Sequence, residues 1–581
     1  MIRKLIRQML TAQVLSALTV SLCLLIDNVM ICRFLGVQAI AAYGLANPVL
    51  LVIGAVGSML AAGVQVACSK SLGSGSLEET NRGFSSAAGI ALAVSVTFTL
   101  IVLLFRNPLA TAMKAGTEGE LFEMTGDYLV GFCIGAPGSI GALILVPFLQ
   151  MAGQSNLLIA AVLGMTVSDV VFDLLNVLVF HGGMFGMGLA SALSYYVAIA
   201  IGMIYFLSSR CVFRFSFRMI SRKKIRELLI SGVPTVFTMA SSVVLVFILN
   251  GILMGTGGSD AVAAFSVMLS IGNASNCIST GIGGVSLTLS GILYHEEDRT
   301  GLRELLKSLL KYAVIMGAVA CLLIEIFAPV LVRVFIAEEG QAQEMTILAL
   351  RLFALGLTPC CINNVLKSLY QGTERVGLTE LISVMEGAVL PALAGWLFSL
   401  AMGVTGVWLY FLAGEMLALV CTVLWVWRKN QRVCTDPVSY LLLQKDFGVQ
   451  PEDLMEVDIR SIEDVTDAAR QSEEFCRMHG QSERMGNHIA LCIEEMGSNT
   501  VMHGFNPRGG NHLSIRVQHK RDRWIMRFRD DCRAFDPVSY VPKEGQEDAL
   551  GIRLVLAMAE DVRYTYSLNL NNLTIKLPHS V

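Results

Sequence analysis

Asp27, Asp169 and Asp173 are acids set inside long, otherwise apolar stretches, where an unpaired charge at mid-bilayer costs at least about 2.5–3.5 kcal/mol and normally faces a polar cavity. Asp169 and Asp173 are four residues apart, so they share one face of a helix, with Asn176 near the same stripe. Carboxylates that share a cavity repel each other, which favours their neutralisation by a proton or a captured cation. Any one of them alone is equally well explained by hydrogen bonds from neighbouring Ser and Thr. Two further acids, Glu386 and Glu415, lie in late apolar stretches and are expected near a helix end or paired with a base such as Arg351. A different chemistry is suggested far downstream, where Glu495 and Asn499 are again four apart in CIEEMGSNTVMHG (492–504). On one helical face they form a base next to an oxygen ligand for Mg²⁺.

The elements that must position these residues divide the chain in two. Of 581 residues, 54% are hydrophobic and 15% charged, and mean hydropathy is +0.62, which excludes a disordered or purely cytosolic chain. Residues 1–430 carry 25 Lys/Arg and 23 Asp/Glu, whereas the remaining 151 carry 18 and 23, so charge density more than doubles past 430. A membrane domain followed by a soluble one is expected. Apolar stretches of spanning length recur twelve times between 12 and 428. Seven basic residues at 209–226, with Arg3, Lys4 and Arg7 and the basic residues after spans eight and twelve, fall on one side if the count is twelve, which places both termini in the cytoplasm.

An internal repeat supports two sets of six. Asn28, Gly36 and the run from Val37 to Tyr43 meet, after a shift of 222 residues, Asn250, Gly258 and the run from Ser259 to Phe265. The halves therefore have the same orientation and are related by an axis along the membrane normal, with a pathway between them. The expected division is 1–208 and 226–430 as six-helix lobes, 209–225 as a basic linker, 431–454 as a second linker and 455–581 as a soluble domain. Net charge of −3 with scattered basic residues gives no nucleic-acid-binding face. The cysteines have no metal-ligand spacing, and Cys23, Cys68, Cys277, Cys321 and Cys421 lie in apolar runs as small hydrophobes.

Residues 1–430 resemble a multidrug and toxic compound extrusion (MATE) transporter, in the larger group that includes polysaccharide and lipid flippases. The motifs are Asp27 followed by FLGVQAIAAYGLANPV (34–49), DVVFDLLNVLVF (169–180), GMGLASALS (186–194) and the twelve-span duplication. The resemblance implies export of drug-like or cationic small molecules across the cell membrane by sodium or proton antiport, through rocking of two lobes. Carried over by position, Asp27 and Asp173 match the family's acids, Asp169 stands where many members have Asn, and Ser191 stands at the hydroxyl of that site. Members using the carboxy-terminal lobe have an acid in span seven, where this chain offers only Asn250.

From about 436 the pattern is that of a soluble α/β domain. Helices are expected near 462–480, 484–504 and 550–560, and strands near 511–519, 522–530, 562–567 and 572–577, with helices on one face of a mixed sheet. The order CIEEMGSNTVMHG, FRDDCRAFDP (528–537), DALGIRLV (548–555) resembles the GHKL ATPase superfamily, nearest the anti-sigma-factor serine kinases. The resemblance implies an α/β sandwich binding ATP and Mg²⁺, with Asn499 as metal ligand, Glu495 as general base, Asp530 on the adenine amino group and Gly551 beside the phosphates. It further implies a STAS-type antagonist or a sigma factor as partner. Cys532 and Ala549 stand where the family has glycine, and each adds a Cβ where backbone would approach nucleotide. Alternatives are a membrane-anchored serine kinase that uses the spans as a sensor, and a lipid-linked precursor flippase. The near absence of Arg at span centres disfavours the flippase, whose substrates carry phosphates. No GxxxxGK[ST] loop occurs in the tail, which excludes an ABC-type pump.

Overall fold

The computed structural model describes residues 2–113, 118–208, 211, 213–336, 340–430, 437–444, 447–506, 510–520, 523–540 and 550–578. The amino-terminal half contains α1 (Ile2–Met30), α2 (Val37–Gly73), α3 (Leu77–Leu104), α4 (Arg106–Ala112), α5 (Glu120–Ile134), α6 (Ala136–Met151), α7 (Ser155–Leu175) and α8 (Gly183–Phe206). The carboxy-terminal half contains α9 (Arg222–Ser275), α10 (Cys277–His295), α11 (Arg299–Arg333), α12 (Gln341–Leu355), α13 (Leu357–Gly372), α14 (Val376–Val384), α15 (Leu390–Met402), α16 (Val404–Val407) and α17 (Tyr410–Asn430). Apolar runs of this length fold as helices because a helix alone satisfies its backbone within one segment when no water is at hand. Among the described residues, nine helices are long and apolar enough to cross a membrane, or eleven if each of two bent pairs is one crossing. That is short of the expected twelve; α1, whose side chains are described only in part, stands outside the count and packs against α7 and α10.

The repeat is visible in the backbone. Gly36, with φ 89°, precedes α2, and its counterpart Gly258, with φ 67°, breaks α9; only glycine takes such a conformation without strain. The bent pair α5–α6, at 48°, is matched by α12–α13, at 42°, and α7 is matched by α14, each close to 222 residues further on. The two halves meet in a seam along α2 and α9. There Gly63 packs on the carbonyl of Leu228 and Gly232 on that of Met59, so a Cβ at either position would collide with backbone. Further along the seam, Lys70 of the first half reaches Glu374 of the second at 2.6 Å.

The tail contains β1 (Leu454–Ile459), α18 (Ile462–Met478), α19 (Glu483–Asn499), β2 (Leu513–His519), β3 (Arg523–Asp530), α20 (Leu550–Met558), β4 (Asp561–Ser567) and β5 (Leu570–Pro578). The strands lie in the order β1-β2-β3-β5-β4 with every pairing antiparallel, which corrects the expected mixed sheet and adds β1. Hairpin pairing of β2 with β3 and of β4 with β5 follows from their short connections. Leu513, Ile515, Trp524, Met526, Phe528 and Ile575 turn one face of the sheet to the three helices. Ser461 caps α18 in a reciprocal box with Asp464, fixing where that helix starts.

The opposite, polar face of the sheet lies on the membrane body. Arg529 pairs with Glu296 at 2.6 Å, Lys520 with Glu297 and Arg516 with Asp298, so three consecutive acids between α10 and α11 meet three bases from β2, β3 and the turn between them. Asp298 also caps α11 by accepting from Gly301 N at 2.7 Å. Burial alone would push its carboxyl up, but Arg516 and Arg529 outweigh this and hold it below the usual range. Contacts to the other half come from Arg563, which donates to the Ser74 carbonyl at 2.8 Å, and from Leu568 N, which donates to the Met151 carbonyl at 2.7 Å. The tail therefore touches both halves on one side of the body.

Candidate functional site

Asp27 on α1 and Asp169 and Asp173 on α7 converge, all three buried at 7%, 3% and 0% exposure. Asp27 Oδ1, Asp169 Oδ1 and both oxygens of Asp173 have no hydrogen-bond donor, and among the described residues no Lys, Arg or His pairs with the three acids. Buried carboxylate oxygens without donors are costly, and a proton or a small cation is the species that could complete the cluster. Hard oxygen ligands in this number suit sodium better than a soft metal.

The cluster has walls that sequence reasoning missed. Tyr43, Tyr128 and Tyr195 lie around the carboxylates, with Tyr43 edge-on to Tyr128 at 5.3 Å, and Cys23 and Ser194 adjoin Asp169. Cys23 itself donates to Thr166 Oγ1 at 3.2 Å. Tyr43 was visible in the repeated run at 37–43, but an aromatic residue at helical spacing reads equally well as core. Both nearby serine hydroxyls turn back to backbone, Ser191 donating to the Met187 carbonyl at 3.4 Å and Ser194, which adjoins Asp169, donating to the Ser191 carbonyl at 2.8 Å. Asn176 is drawn off by backbone: it donates to the Gly183 carbonyl at 3.1 Å and accepts from Gly182 N at 3.1 Å, closing the turn into α8.

In the second half Lys367 bonds Glu386 at 3.1 Å, and Asn363 donates to Glu415 at 2.7 Å. Arg351, offered above as a partner for these acids, instead approaches Glu325 at 3.6 Å. The Asn250 side-chain oxygen is buried without a donor.

In the tail, Asn499, Thr500, His503, Asp530, Tyr564 and Asn571 line a cavity of about 370 Å³ under the helices. Asp530 accepts from Asn571 at 2.7 Å and from Cys532 N at 2.9 Å, and burial pushes its carboxyl above the usual range. Cys532 is not among the residues with left-handed backbone, so its cost there is bulk, not strain; its sulfur packs over Gly504. Glu495 is not on this wall: its carboxylate lies against Gly551 in the first turn of α20, where a Cβ would overlap it. Ala549 lies outside the described residues.

The MatE family model matches residues 13–175 and 234–397, one segment in each repeated half. The chain belongs to the MatE family. Two multidrug export proteins MepA are similar to it: that of Staphylococcus saprophyticus subsp. saprophyticus is 22% identical over 422 residues, covering 71% of this chain and 91% of that one. That of Staphylococcus haemolyticus is 20% identical over 408 residues, covering 69% and 88%. Among solved structures, a MATE protein in complex with MaL6 superposes with TM-score 0.68 at 22% identity over 73% of this chain and 95% of its own. A MOP superfamily transporter from Pyrococcus furiosus gives TM-score 0.69 at 21% identity, over 76% and 97%. These likenesses establish the MATE fold, and the chain is a multi-pass membrane transporter. The family match does not reach beyond residue 397.

Proposed function

We propose that the membrane body exports drug-like or cationic small molecules by antiport, with sodium or a proton bound at Asp27, Asp169 and Asp173. The single observation that carries this reading is the set of buried carboxylate oxygens that no donor satisfies. Binding the coupling ion weakens the mutual repulsion of three acids on α1 and α7, and its release restores it, so the ion biases how α1 packs on α7. The names of the MepA relatives support multidrug export as the substrate class. Twelve crossings with both termini in the cytoplasm of a cell-membrane protein fit the repeat and the basic loops. The test is efflux of a fluorescent cation from proteoliposomes under an imposed sodium or proton gradient. Gradient-driven efflux lost in Asp173→Asn supports the reading; efflux undiminished in both Asp27→Asn and Asp173→Asn overturns it.

The tail is read as a GHKL-like domain that binds ATP with Mg²⁺ and biases transport through its hold on both halves. The cavity fits that use in size and in its donors, with Asn499 placed to hold the metal and the buried Asp530 to accept from an adenine amino group. Bound Mg·ATP would bring phosphate charge and a metal; the chain itself supplies shape, the Asp530 acceptor and the α20 start. Transfer to a STAS-type partner with Glu495 as base is the weaker reading, because Glu495 stands behind Gly551 and off the cavity wall. Calorimetry on the full chain with Mg·ATP should show binding that Asn499→Ala abolishes; absence of binding by the parent chain leaves the tail a protein-docking role.

A further inference from the structure

Away from both sites, three side chains from separate elements meet at a corner of the tail. Asp453 ends a short turn before β1, His479 follows the last residue of α18, and His519 ends β2. Their ligand atoms all lie within 4.8 Å of one another. Asp453 Oδ1 is 3.1 Å from His479 Nε2 and 3.5 Å from His519 Nδ1. Around a tetrahedral zinc ion with bonds of about 2.0–2.2 Å, neighbouring ligand atoms stand roughly 3.3 Å apart, between these two values.

The hydrogen bond made by one ring nitrogen of His479 fixes the role of that nitrogen. Its Nδ1 lies 2.8 Å from the Phe475 carbonyl, and a carbonyl only accepts, so Nδ1 carries a proton and donates it. Nε2 then faces the Asp453 oxygen with a lone pair unless a second cationic species lies between them. A proton there makes an imidazolium, and a divalent metal ion is the alternative. The two imidazole rings are 4.5 Å apart and each presents a nitrogen to Asp453 Oδ1, so one metal ion can take both rings and the carboxylate together. A histidine ligand whose far nitrogen donates to a backbone carbonyl is the usual arrangement in metal sites. Trp524, 4.6 Å from His519 and 6.0 Å from His479, and Phe475, 4.6 Å from His479, wall the corner with apolar surface. Side-chain exposures of 35%, 16% and 20% for Asp453, His479 and His519 leave one approach open to solvent.

We propose that Asp453, His479 and His519 form a three-ligand site for a divalent transition-metal ion, zinc by its ligand set, with the fourth position held by water. The ion ties the entry to β1, the end of α18 and the end of β2 into one corner. The residue after His519 is Lys520, which reaches Glu297 of the membrane body, so the metal braces the strand end that docks the tail. Sequence spacing conceals the site because its members are 26 and 40 residues apart and the fold alone unites them.

The test uses the tag-free full chain in detergent, stripped with a chelator and titrated with Co²⁺. One equivalent should bind with visible d–d absorption that Zn²⁺ displaces, and His479→Gln and Asp453→Asn should each weaken binding by at least about tenfold, the loss even an outer-shell substitution causes. Thermal unfolding gives a second readout that needs no variant: added Zn²⁺ should raise the unfolding temperature of the stripped parent chain. The proposal is overturned if Co²⁺ does not saturate at one equivalent, if both variants bind as the parent does, or if Zn²⁺ leaves the unfolding temperature unchanged.

Discussion

In the amino-terminal half, Asp27, Asp169 and Asp173 converge with no base among the described residues paired to them, whereas in the carboxy-terminal half Glu386 meets Lys367 at 3.1 Å and Glu415 receives Asn363 at 2.7 Å. The same backbone plan thus carries two answers to buried acid. In the second half a cation is tethered to the chain and cannot leave, so one of the two acids, Glu386, has a fixed partner while Glu415 has only the neutral Asn363 amide. In the first half a mobile ion would have to do the same, and the proposed coupling to a gradient needs that mobility. A buried Lys–Glu pair adds little net stability but is expensive to break, which makes it a fixed brace and a poor ion exchanger.

The largest effect that could break this comparison is on transport. Asp27→Asn and Asp173→Asn should each reduce gradient-driven efflux to the level of protein-free liposomes, while Glu415→Gln should leave it measurable; the reverse pattern would move coupling to the second half. Next, Lys367→Met should destabilise the protein by about 3–5 kcal/mol, because Glu386 is left charged and buried, and Lys367→Met with Glu386→Leu should recover most of that loss. Denaturation in mild detergent measures both. If Lys367→Met alone is neutral, the second half is not braced by this pair.

Asp298→Asn removes one of the two carboxylates that pair with the largely buried Arg516, leaving Glu456, and should loosen the tail, read as faster amide exchange across β2 and β3 with the membrane helices unchanged. Glu374→Gln should have a smaller effect, about 0.2–1 kcal/mol on closure of the seam, because its side chain is 36% exposed. Hydrogen bonding from His295, then Lys70, lowers the Glu374 carboxyl to about 2. A depressed carboxyl contributes stability above its unfolded value of about 4.3 and loses it as pH falls through the folded value, so cross-seam cysteine crosslinking should hold at pH 5 and weaken toward pH 2. The smallest effect separates two hydroxyls: Ser194→Ala should weaken coupling-ion affinity severalfold and Ser191→Ala should not.

Much of the fold could be read directly from the residues. The register joining Gly36 to Gly258 marked a duplication that the backbone repeats, down to matching bent helix pairs. Four of the tail's five strands were anticipated from alternation. β1 was not, because LMEVDI is short, acid-bearing and hidden after a polar linker, and only pairing with β2 makes it a strand. The three carboxylates were legible because charge in apolar sequence is rare and costly. Their neighbours were not, since Tyr43, Tyr128 and Tyr195 read as core wherever they fall.

By itself the sequence determined a two-part chain, a duplicated helical body and the acids buried in its first half, because burial cost and helical periodicity are written locally along the chain. Tertiary structure decided that Ser194 adjoins Asp169, that Asn176 closes a turn, that Lys367 pairs with Glu386, and that Glu296, Glu297 and Asp298 receive the tail. Each of these depends on side chains brought together from distant segments or turned by a particular rotamer, and neither distance in space nor rotamer is carried by spacing in sequence.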